Sequence, residues 1–171
     1  MHAIIGVIVY ARTKEEAFDK AEDIVKGLAE CEQPFDSYSS FREECARNRW
    51  GDLPPVARVM SEGGIRIIDR LWGRTIEIFQ KHLSAMKREG DRLGWNWKKL
   101  REDRVFRYNC YMVGQYRGRA IRLYDNDGEG IRTLDHLRDA LEKGKCLYEK
   151  RGKTNPYADL DVWIVPFDVH Y

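Results

Sequence analysis

Residues 3–10, AIIGVIVY, are apolar at odd and even positions alike, the pattern of a strand covered on both faces. Polarity returns at Thr13-Lys14-Glu15-Glu16, a capping box. Behind it Ala17, Phe18, Ala21, Ile24, Val25 and Leu28 recur at helical spacing. After Pro34 the aromatic, serine-rich run 35–41 is expected to form a second strand, although its apolar positions do not alternate cleanly. Residues 42–60 read as irregular, with Pro54-Pro55 imposing extended backbone.

From Glu62 to Arg88, Ile65, Ile68, Trp72, Ile76, Phe79, Leu83 and Met86 recur three or four residues apart, with Ile67, Leu71 and Ile78 widening the stripe. This spacing predicts a long helix that buries that face. Gly90 and Gly94 close the region, and Trp95, Trp97 and Leu100 lie in a short element beyond it. Residues 105–113, VFRYNCYMV, are rich in β-formers; with glycines at 114 and 118 and the run 119–125 they predict a hairpin. Thr133 is placed to cap a helix carrying Leu134, Leu137, Leu141 and Tyr148. A last strand is expected at 159–165, with Leu160, Val162 and Ile164 on one face.

The element order predicts a single α+β domain over residues 1–171. Its architecture would be ferredoxin-like: a split βαβ antiparallel sheet with an inserted long helix, a helical insertion at about 42–104, and an extra hairpin strand. In that arrangement the first and last strands are antiparallel neighbours, which would bring His2 and His170 together beside Asp168 as a conceivable metal pair.

Composition narrows the class. A 43% hydrophobic content supports a core, and 30 basic against 28 acidic residues leave only +2, so any nucleic-acid surface must be a local patch. The cysteines at 31, 45, 110 and 146 form no CxxC, which points to free thiols in a reducing compartment rather than a zinc site. The first 17 residues carry neither a basic leader nor a run long enough for a bilayer, so a cytoplasmic protein with no membrane partner is expected.

Candidate chemistry centres on Tyr124-Asp125-Asn126-Asp127-Gly128-Glu129-Gly130. Asp125, Asp127 and Glu129 alternate as in the first half of a calcium loop, but the twelfth position is His136, not Glu. Two readings follow: a tight turn that enters a helix, or a divalent-cation site in which His136 acts as base or ligand. Asp159 and Asp161 share a strand face and suggest either a second hard-cation pair or a solvated strand start. There is no GxSxG and no Walker loop.

Arg107, Tyr111, Arg117, Arg119, Arg122 and Tyr124 interleave cations and aromatics on the expected hairpin, and Arg151 and Lys153 belong to a basic segment from 143 to 153. Such interleaving is how open sheet faces hold single strands, stacking bases while cations hold phosphates. The leading expectation is a small binding module associated with nucleic acid or a nucleoprotein assembly, needing no cofactor. The alternatives are a metal-dependent phosphoester hydrolase using Asp125, Asp127, Glu129 and His136, and a protein-interaction or self-assembly module working through the 62–88 helix.

Overall fold

The computed structural model describes residues 2–30, 35–116 and 122–170. The chain divides into two compact units, Met1–Leu71 with Arg122–Tyr171, and Trp72–Ile121.

The first unit is built on β1 (His2–Ala11) and β5 (Asp161–His170), paired antiparallel from His2↔His170 to Ala11↔Asp161. The expected adjacency of first and last strands is therefore present. β2 (Ser37–Ser40) and β3 (Ala57–Arg58) share the other edge of β5, and β4 (Leu123–Tyr124) joins β1 in parallel. The result is an open five-stranded sheet of order β2-β5-β1-β4, with β3 beside β5, in a mixed α/β chain. A split βαβ sheet would set β2 beyond β4; here it lies at the opposite edge. β5 runs past the expected end at Val165 because Pro166 falls where the outer edge is unpaired, between the β3 and β2 segments.

Both faces of β1 are covered, as its unbroken apolar run requires. The Ile5–Phe167 pair shares a face with Phe18 of α1 (Lys14–Glu30), whose ring centroid is 6.1 Å from that of Phe167. On the alternate parity Gly6 leaves room for Leu71, whose Cδ1 stands 2.5 Å from where a Cβ on Gly6 would be. α2 (Glu44–Trp50) occupies part of the segment read as irregular.

α3 (Glu62–Ile68), a π-helical turn (Asp69–Gly73) and α4 (Arg74–Arg92) follow one another along the expected long helix. Of the stripe and its widening residues, Ile67 and Leu71, at the margin, are fully buried, whereas Ile65 and Ile76 are exposed. The burial expected for Ile65 and Ile76 is not found within the chain. Gly64, near the start of α3, sits so close to Arg58 and Val59 that a Cβ would lie 2.2 Å from a carbonyl oxygen. Gly64→Ala is expected to cost about 1–3 kcal/mol in urea unfolding, since backbone rather than a flexible side chain must move.

In the second unit α4 packs with α6 (Arg104–Tyr116), joined through α5 (Trp97–Glu102). The hairpin expected at 105–125 is corrected here: 104–116 is helical, and the 117–121 part of it lies outside the described residues. The β-formers are overridden by packing, because Phe106, Asn109, Cys110 and Val113 recur at helical spacing on the covered side. Asp103 caps the helix, accepting the Phe106 amide at 2.7 Å. That bond, followed by Arg92, holds the Asp103 carboxyl below its usual range. His82 and Asn109 join α4 to α6 by a 2.8 Å hydrogen bond.

The last helix expected is two, α7 (Leu134–Leu141) and α8 (Lys145–Lys150), broken where Lys143 and Gly144 take positive φ. Among the described residues no helix is long and apolar enough to cross a membrane.

Candidate functional site

The acidic loop is organised by Asp125. Its Oδ1 accepts the amides of Asp127 and Glu129 at 3.0 and 2.9 Å, while its own amide donates to the Glu129 carbonyl. Gly128, at φ 78°, supplies the left-handed residue that the turn needs. The second carboxylate oxygen of Asp125 is 2.8 Å from His136 Nε2, and Thr133 Oγ1 caps α7 by accepting the His136 amide. Asn126 Oδ1 accepts the Tyr10 amide, so the loop is tied to β1.

Asp125 and His136 thus converge, while Asp127 and Glu129 are exposed. Among the described residues no three His, Cys, Asp or Glu side chains are grouped to hold a metal ion. The carboxylate of Asp125 is occupied by backbone amides and an imidazole, the arrangement of a turn that enters a helix. Asp161 is paired with Arg58 at 2.7 Å, and Asp159 lies exposed before the strand begins.

Beside this loop a cavity of about 80 Å³ opens between β1, α7 and residues 143–157. Its wall includes Tyr10, Tyr148 and Tyr157, with ring centroids 4.9 Å apart for Tyr10–Tyr157 and 6.2 Å for Tyr148–Tyr157. The Tyr10 hydroxyl donates to the Ala140 carbonyl. Burial, then the charges of Asp125, Asp139 and Asp127, push its phenol far above the ordinary value. Tyr157 is likewise raised, by burial first.

At the start of the sheet His2 and His170 do meet, their rings T-shaped at 4.8 Å. Asp168, 2% exposed, lies between His2 and Arg49, and Arg49 donates to it directly. His2 Nδ1 is 2.8 Å from Arg49 and 3.2 Å from Asp168, so it accepts from the former or donates to the latter. The Asp168 carboxylate, expected beside a His2–His170 metal pair, is held by the Arg49 guanidinium.

The residues read as a nucleic-acid face separate. Arg107 and Tyr111 lie on α6 with Arg104 and Tyr108, at i, i+3, i+4 and i+7 of one exposed helical side. Tyr108 and Tyr111 are 55% and 62% exposed, and the four side chains line an open hollow of about 590 Å³. Arg122 and Tyr124 belong to the other unit. Tyr124 is buried in β4, and Arg122 is half-buried, reaching the Ile4 carbonyl at 3.4 Å. Arg151 and Lys153 are exposed in the turn after α8, and Arg117 and Arg119 lie outside the described residues.

One feature was missed by treating charge as a whole-chain quantity. Twelve of the 30 basic residues but only five of the 28 acidic ones fall within 72–121, giving that unit +7 and the rest of the chain −5. Counting charge segment by segment finds it in the sequence.

Over its full length, residues 1–171, the chain matches the family described as Domain of unknown function (DUF7995), and it belongs to that family. No curated protein and no solved structure matches it.

Proposed function

We propose that this is a nucleic-acid-binding module whose contact surface is the helical unit 72–121. The segregation of charge carries the reading: a 50-residue unit at +7 within a chain of net +2. Phosphates are attracted to such a unit whatever the sign of the remainder. Exposed Arg104 and Arg107 beside the flat faces of Tyr108 and Tyr111 add a means of holding unpaired bases, through stacking and cation contact together. The whole chain is read as one cytoplasmic domain, a rearranged ferredoxin-like sheet with a helical insertion, acting without catalysis.

Fluorescence anisotropy on a labelled single strand tests this. Binding is expected near 50 mM salt and is lost steeply toward about 200 mM. Arg104→Glu with Arg107→Glu is expected to weaken binding at least about tenfold and to flatten the log–log salt slope by about 1.4, the value for two phosphate contacts on a single strand. Absence of any complex at the lower salt, with single or double strands, overturns the proposal. An Asp127→Asn variant, changed on the other unit, is expected to bind as the parent does.

A further inference from the structure

We infer that the cavity between the acidic loop and α7 is a binding site for a small organic cation carrying a methylated ammonium group. Three tyrosine rings line it, and their faces are the negative ends of the aromatic quadrupole, which attract a weakly hydrated cation. Phenols are neutral at physiological pH, and Tyr10 and Tyr157, raised further by burial, bring no phenolate charge to the wall.

The charge balance of the wall points the same way. Lys143 lines the cavity, but its Nζ donates to the carbonyls of Ala158 and Leu160 at 2.5 and 3.0 Å, held along one side. Asp125 is engaged by two amides and His136. Asp127 and Asp139 remain as negative charge facing the space. A hard metal ion needs several oxygens converging at short range, and no group of three acidic or imidazole side chains does so among the described residues. Diffuse negative potential with aromatic walls suits a bulky cation that makes no directed bonds. At about 80 Å³ the cavity admits a head group and little more.

Titration of the whole protein with tetramethylammonium and choline, followed by tyrosine ring shifts in NMR spectra, tests the inference. 3,3-Dimethylbutan-1-ol, the neutral isostere of choline, and magnesium serve as comparisons. Saturable shifts at Tyr148 and Tyr157 are expected with both cations, with the neutral alcohol roughly tenfold weaker or worse. Asp127→Asn, at an exposed position, is expected to weaken choline binding several-fold without moving the thermal midpoint. Tyr157→Leu is expected to abolish it, with near-native circular dichroism excluding simple unfolding. No saturable shift, equal binding of choline and its isostere, or preferential binding of magnesium at these residues would each overturn it. Nucleic-acid binding by residues 72–121 is measured separately and stands or falls on its own.

Discussion

Leu71→Ala is expected to lower the unfolding free energy by about 2–5 kcal/mol, and Ile76→Ala by less than about 1 kcal/mol. Leu71 is 1% exposed and packs over Gly6 in the central strand, whereas Ile76 is 42% exposed. Urea unfolding of both variants decides the matter. A larger loss for Ile76→Ala would mean that the outer stripe is covered, by a second copy or another partner, and its dependence on protein concentration would show which applies. A compensating pair follows from the same contact. Gly6→Ala alone drives its Cβ into Leu71 and is destabilising. Gly6→Ala combined with Leu71→Ala puts that carbon into space the leucine has vacated, so the losses are expected to be less than additive.

That contrast also explains how the long helix misled. Period-3.6 reading treats 62–88 as one helix with one buried face. The π-helical turn at Asp69–Gly73 closes its hydrogen-bonded rings one residue later than an α-turn, which displaces the following pattern by roughly 100°. The same stretch also passes from one compact unit to the other at Leu71–Trp72, so its two halves answer to different neighbours. No single stripe describes both. α6 failed for another reason: Val105, Tyr108, Tyr111 and Val113 favour strands, but packing with α4 and the Asp103 cap outweigh a preference worth only tenths of a kcal/mol per residue.

Elements whose signals were local and mutually consistent were legible. β1 has an apolar run and α1 has a capping box: Thr13 Oγ1 accepts the Glu16 amide while Glu16 accepts the Arg12 amide. The Asp125 loop was legible as a turn because glycines at 128 and 130 suit a tight bend, whereas spacing offered His136 to Asp125, Asp127 or Glu129 alike and did not single out the Asp125 contact. The tyrosine cavity was not legible. Tyr10 is 138 residues from Tyr148 in the chain, and the pairing of β1 with β5 and the break between α7 and α8 bring it beside Tyr148 and Tyr157.

Arg49→Met is expected to cost about 3 kcal/mol, because it leaves the Asp168 carboxylate buried in the sheet without its guanidinium. Removing one partner of a buried pair costs more than the pair contributes, since the remaining charge keeps its desolvation penalty. His2 is a weak substitute: its Nδ1 stands 3.2 Å from the carboxylate and its side chain is 36% exposed. Arg49 is itself 40% exposed, so water reaches the pair from that side and the loss falls at the low end of the range for fully enclosed pairs. In an Asp168→Asn background the same Arg49→Met change has no charge to strand and is expected to cost less than about 1 kcal/mol. A double-mutant cycle in urea separates these terms. Equal costs in the two backgrounds would mean that Arg49 stabilises α2 by packing its stem rather than by neutralising Asp168.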